Sequence, residues 1–132
     1  MENVKQILVV RTKYPDNNGG FRKLRTGKLI AQACHASMAF ISNLIRENNI
    51  SNLTEEQKYW LNNSFTKICV YVETEEELLE VYKNAQEAKL TSYLITDNGY
   101  TEFNNIPTNT VVGIGPHTED KLKPITGHLP LL

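Results

Sequence analysis

Four consecutive apolar residues, Ile7 to Val10, sit inside the stretch KQILVVRT (residues 5–12) and constrain the fold more than any other feature. A short, uninterrupted run rich in β-branched residues reads as a buried strand rather than one with a wet face. Residues 13–26, KYPDNNGGFRKLRT, hold a proline, two glycines and two asparagines, and are expected to form a long loop. A helix is expected from about Gly27 to Arg46. A polar connection then holds a short helix from about Thr54 to Leu61, with Thr54 as N-cap and Trp60 as an anchor into the core. TKICVYVE (66–73) reads as a second strand. Thr74 with Glu77 forms a capping box, and Glu75 to Glu77 suit the positive end of the helix that follows. Leu78, Leu79, Val81, Tyr82, Ala85 and Ala88 supply its apolar face. TSYLIT (91–96) and NTVVGIGP (109–116) read as third and fourth strands. Glu119 to Lys123 suggest a helical turn, and TGHLPLL an extended end. Helices following strands on this scale imply crossovers with parallel pairing, while the last two strands can pair antiparallel. The expectation is a single α/β domain over residues 1–132 with a mixed sheet.

The chain of 132 residues is long enough to bury a core. Its 40% hydrophobic and 22% charged residues exclude a disordered composition. No apolar run approaches a membrane span and the N-terminus lacks a signal pattern, so a cytoplasmic protein is expected. Cys34 and Cys69 lack metal-ligand spacing and are expected to be free, buried thiols. A net charge of −1 hides an asymmetry. Between residues 11 and 28 stand Arg11, Lys13, Arg22, Lys23, Arg25 and Lys28 against the single acid Asp16. Such a patch attracts a polyanion, or is merely a solvated loop.

Within the first helix, Lys28, Gln32 and His35 are spaced i, i+4 and i+7 and project from one face. At about 100° per residue, apolar side chains cover most of the remaining circle, roughly twice the arc an ordinary surface helix needs. The helix is therefore expected to be mostly enclosed, its narrow polar stripe lining a cleft; the plainer reading is a wet face. Lys28 lies in the first turn, where the helix dipole disfavours a cation, so an anionic ligand or a carboxylate is expected beside it. LITDNGYTEF (94–103) supplies a candidate. Asp97 ends an apolar strand, and Gly99 permits a turn that aims Thr101 back toward the strand end. Ligands of open α/β sheets gather at such ends. The plainer reading of Asp97 is an Asx-turn.

Taken in order, VVRT (9–12), GKLIAQACHA (27–36), DNGYT (97–101), TNTVVGIGP (108–116) and TGHL (126–129) resemble the type-two peptidyl-tRNA hydrolase family along essentially the whole chain. The resemblance implies a mixed four-stranded sheet flanked by helices on both faces, and a homodimer. It also implies cofactor- and metal-free hydrolysis of the ester joining peptide to the 3′-terminal ribose of tRNA. Carried over by position, the family's site residues match Lys28, Gln32, His35, Asp97, Thr101 and Thr110.

Those residue types suit the chemistry. Water attacking an ester builds negative charge on the carbonyl oxygen, and a fixed cation there is worth roughly a hundred- to thousandfold in rate. Lys28 is the candidate for that role or for holding the terminal phosphate. Asp97 would position Lys28 and polarise the water, and His35 is suited by its ordinary pKa to take a proton. Gln32, Thr101 and Thr110 would orient water and substrate. The sequence leaves open which group is the base. Two departures stand out. The link before Lys28 is lengthened to KYPDNNGGFRKLRTG, and the family's D-A-G-R-T reads DNGYT. The basic loop is expected to meet the tRNA backbone, and for the arginine that Tyr100 replaces, either Arg22, Lys23 and Arg25 compensate or Tyr100 stacks on a terminal base. Two other readings compete: a tRNA-binding or interaction module of the same fold that has lost turnover, and a metal site of His35, His117 and His128, whose spacing fits no standard ligand pattern.

Overall fold

A computed structural model describes residues 3–99, 103 and 105–132. The central strand β1, Val4–Arg11, is flanked by β4, Thr66–Val72, and by β6, Thr108–Thr118, with β5, Ser92–Asp97, beyond β6; the sheet order is β4-β1-β6-β5. β1 runs parallel to β4 and antiparallel to β6, and β5 is antiparallel to β6. The sheet is mixed, as the element order implied.

Burial of β1 on both sides explains its unbroken apolar run. Ile7 and Val9 face α3, Glu75–Glu87, and α4, Glu119–Thr126, packing with Leu78, Val81, Ala85 and Leu122. Leu8 and Val10 face α1, Thr26–Arg46, through Ala36, while Val4 meets Phe40 of α1 and Trp60. Trp60 follows α2, Glu55–Tyr59, and its indole N–H donates to the Thr66 carbonyl oxygen at 2.8 Å. Helices cover both faces. The capping box of Thr74 with Glu77 forms, and Thr54, expected as an N-cap, closes a second one with Gln57. α1 lies so close to the sheet at Gly113 that a Cβ there would stand 2.6 Å from the Ala36 carbonyl oxygen.

Four details differ from the sequence expectation. Residues 13–26 are not simply a loop: β2, Tyr14–Pro15, pairs with β3, Phe21–Arg22, as a small hairpin. Asp16 braces its turn, accepting from the Asn18 and Gly20 amides, both at 2.8 Å. Strands of two residues are too short to show a periodic signal. α1 is not mostly enclosed: Ile30, Met38 and Ile45 are exposed, and its buried residues are Gln32, Ala36, Ala39 and Phe40. Cys34 is exposed and Cys69 half-buried, so the thiols are free but not both buried. α4 continues past Lys123 through Pro124, an exposed position where the missing N–H costs a single helix bond.

Candidate active site

The stripe on α1 turns inward at Gln32. Gln32 is 2% exposed, and its amide bridges two strands. Its Nε2 donates to Asp97 Oδ1 at 3.2 Å, and its Oε1 accepts from Thr110 Oγ1 at 2.6 Å. Thr110 owes its position to a bulge. Ile95 pairs with Val111 but Thr96 pairs with Asn109, so Thr110 is the extra residue of β6. A bulge re-aims a side chain, and this one sends a fully buried hydroxyl toward α1.

Lys28, in the first turn of α1, reaches the same carboxylate: Nζ lies 2.9 Å from Asp97 Oδ1, with the two side chains 15% and 10% exposed. This is the compensating partner that a cation at a helix N-terminus calls for. The second oxygen, Oδ2, accepts from the Gly99 amide at 2.9 Å. Gly99 has φ of 85°, and a Cβ there would collide with the Ile106 backbone, so the turn that supplies this N–H requires glycine. Burial pushes the Asp97 carboxyl up, but the Lys28 hydrogen bond, the Gly99 amide, the Lys28 charge and the Gln32 amide together hold it below the ordinary carboxylate range. Asp97 therefore stays ionised near neutrality. It is a weak base and a firm electrostatic anchor.

Lys28, Gln32, Asp97 and Thr110 thus form one connected group at the carboxyl end of β5. His35 is exposed and takes no part in those hydrogen bonds; it borders a separate depression with Met38, Ser42 and Tyr93. Thr101 and Tyr100 lie outside the described residues. Lys23 and Arg25 are exposed, whereas Arg22 is half-buried with its guanidinium 5.3 Å from the Phe103 ring centroid.

Arg11 does not belong to the exposed basic patch. It is 6% exposed, donates Nε to the Lys13 carbonyl oxygen and Nη1 to that of Asn109, and lies over the Tyr14 ring at 4.3 Å. Glu75, read as a helix-start residue, also faces Arg11 at 3.7 Å. An arginine directly after the apolar run Ile7 to Val10 was the available sign of a buried, paired cation. Among the described residues, no group of three or more His, Cys, Asp or Glu side chains is placed to hold a metal ion. No described helix is long and apolar enough to cross a membrane.

Fold and site together define an α/β protein with an open mixed sheet that carries a lysine–carboxylate pair with buried amide and hydroxyl partners at a strand end. The profile of the family described as Peptidyl-tRNA hydrolase PTH2 matches residues 4–132. The chain is 36% identical over 133 residues to the peptidyl-tRNA hydrolase of Methanothermobacter thermautotrophicus, covering 98% of this chain and 100% of that one. It is 38% identical over 128 residues to that of Methanopyrus kandleri, covering 97% of each. With that of Methanocaldococcus jannaschii it shares 34% over 129 residues, covering 98% of this chain and 100% of the relative. This chain belongs to the peptidyl-tRNA hydrolase PTH2 family.

Proposed function

We propose that this protein hydrolyses the ester joining a peptidyl or N-blocked aminoacyl group to the 3′-terminal ribose of tRNA, releasing free tRNA. Within a chain of that family, the observation that carries the reading is the Lys28–Asp97 pair, fastened by Gln32, Thr110 and Gly99 at the carboxyl end of β5.

In this reading the Lys28 ammonium faces the charge that grows on the ester carbonyl oxygen. A preorganised cation stabilises that charge more in the transition state than in the bound ester, which is what lowers a barrier. Asp97 holds Lys28 and orients the attacking water. Gln32 and Thr110, locked by their mutual bond, fix the carboxylate's direction, and Thr101 completes the donor set. The water adds to the carbonyl carbon, the bond to the ribose oxygen breaks, and that oxygen takes a proton. His35 is assigned proton transfer through solvent, because no hydrogen bond ties it to the group. Arg22, Lys23 and Arg25 meet the tRNA backbone, and Tyr100 stacks on a terminal base. The protein acts in the cytoplasm, where tRNA turns over. It does so as a homodimer, for which the unpaired side of β5 beside exposed Met38 is a suitable surface.

The test is release of tRNA from purified N-acetyl-aminoacyl-tRNA with EDTA present. Release at catalytic enzyme concentrations supports the reading; bound but uncleaved tRNA would sink it. A His35→Ala variant of unchanged rate removes His35 from the reaction. Light scattering at micromolar concentration tests the dimer.

A further inference from the structure

The bulge that aims Thr110 lies where the regular ladder of the sheet gives out. The register of β1 with β6 ends at Val10 and Val111, one residue short of Thr110. On the other side, β5 slips past the same residue between Ile95 and Thr96. A strand released at such a point can slide by one residue, and that slide sends each side chain to the opposite face. The Thr110 hydroxyl would then leave Gln32.

Arg11, the last residue of β1, reaches across this gap. Its Nη1 donates to the Asn109 carbonyl oxygen at 3.1 Å, in the residue directly before Thr110. Its Nε donates to the Lys13 carbonyl oxygen at 2.9 Å, which ties the guanidinium to the base of the hairpin. The Tyr14 ring lies against the guanidinium, and the Tyr14 hydroxyl donates to the Arg11 carbonyl oxygen at 3.2 Å. Asn109 is also held by its side chain: Oδ1 accepts from Thr96 Oγ1 at 2.7 Å, and Nδ2 donates to Glu75 Oε2 at 3.3 Å. Glu75 faces Arg11 as well, but at 3.7 Å and with its side chain 43% exposed. The two carbonyls therefore hold the guanidinium more firmly than the ion pair does. Two donors fixed in one rigid plane and spent on two main-chain carbonyls are what arginine offers and lysine does not.

Resting on the hydrolase reading, we propose that Arg11 is a positioning residue for ester hydrolysis. It pins the bulge at Asn109 and so keeps the Thr110 hydroxyl on Gln32 Oε1; Gln32 in turn donates to Asp97, the partner of Lys28. Each link in that series is one hydrogen bond between held groups. A displacement of about 1 Å passed along it is worth up to about a hundredfold in rate.

Two measurements test this. Arg11→Lys keeps the charge and gives up the fork. Its kcat on N-acetyl-aminoacyl-tRNA should fall at least about tenfold, with KM within about twofold. Arg11→Met, which has no charge to bury, should behave alike and carries the test if the lysine variant does not fold. Glu75→Gln leaves both carbonyl bonds in place, and its kcat and KM should stay within about twofold. In NMR spectra of the folded protein, the Gln32 side-chain amide signals should move in Arg11→Lys and exchange faster with solvent, while the Val9 and Val70 backbone amides keep their positions. Undiminished kcat in Arg11→Lys overturns the proposal. So does a lowered kcat with unmoved Gln32 signals, or a loss in Glu75→Gln as large as in Arg11→Lys. If the unaltered protein releases no tRNA, the hydrolase reading fails, and the Gln32 signals alone then decide whether Arg11 positions the group.

Discussion

The two ends of the sheet each hold a largely buried carboxylate bonded to a lysine, and they do different work. At one end Asp97 faces Lys28, Gln32 and the Gly99 amide. At the other, Glu56 of α2 accepts from the Thr118 amide at 2.7 Å and from Lys121 at 2.8 Å, and lies 3.1 Å from His117 Nδ1. The Thr91 amide donates to His117 Nε2, so Nδ1 carries the proton offered to Glu56. Both imidazole nitrogens are thus engaged in tying β5, β6, α2 and α4 together. Burial pushes the Glu56 carboxyl up, but Lys121, the Thr118 amide and His117 bring it from the ordinary 4.5 to about 2. A depressed carboxyl is no sign of catalysis by itself. What separates the two ends is what they gather: Glu56 is held by groups that tie β6, α2 and α4 together, whereas Asp97 collects Lys28, Gln32 and the Gly99 amide at the carboxyl end of β5.

That contrast can be broken from either end. The largest effect is expected from Lys28→Ala, which should lower kcat by at least about tenfold and as much as about a thousandfold while the far-UV spectrum stays native. Lys121→Ala, the corresponding lysine at the other end, should leave kcat within about twofold; a comparable loss there would erase the distinction. Next comes acid stability. Because the Glu56 carboxyl is lowered on folding, its contribution is complete above the ordinary 4.5 and is lost as pH falls toward about 2. That gap corresponds to on the order of 3 kcal/mol. Glu56→Gln should therefore lower urea stability at neutral pH by about 2–3 kcal/mol and flatten its pH dependence below about 5, without changing turnover by the folded fraction.

A smaller effect concerns tRNA. If Arg22, Lys23 and Arg25 neutralise three phosphates, raising salt from about 50 to about 200 mM should weaken binding roughly 20- to 40-fold. Changing all three to Gln should flatten that slope, while Lys121→Ala leaves it steep. The smallest, Thr74→Ala, removes the cap of α3 and should cost about 1 kcal/mol in thermal or urea unfolding, with kcat unaltered.

The strands and the helix caps were legible because their signals are local. The unbroken run Ile7 to Val10, Thr54 as an N-cap, and Thr74 three residues ahead of Glu77 need no tertiary knowledge. The Lys28–Gln32–Asp97–Thr110 group was legible as membership, through spacing on one helix and resemblance along the chain, but not as geometry. The bulge that aims Thr110 depends on how β5 pairs with β6, which no single-strand pattern encodes. The orientation of α1 was misread for a related reason. Counting apolar residues around the helix takes each as buried, yet Ile30, Met38 and Ile45 face outward while Gln32 is interior. A glutamine can take that place because both ends of its amide are satisfied, a condition that involves residues 65 and 78 positions away in sequence. His35 shares the stripe's spacing but meets no comparable partner. The hairpin escaped notice because Pro15 and a pair of two-residue strands look like any other turn-rich stretch.

Gly113 sets a dimension for the whole site. Where α1 crosses β6 there is no room for a methyl group between strand and helix backbone. The helix therefore rests on main chain rather than on a compressible side chain, and its height above the sheet has almost no tolerance. Lys28 and Gln32 hang from that helix and must span to Asp97 on the neighbouring strand, at 2.9 and 3.2 Å. The absence of one carbon atom, remote from every reacting group, is thus the gauge against which the reach of both side chains is set.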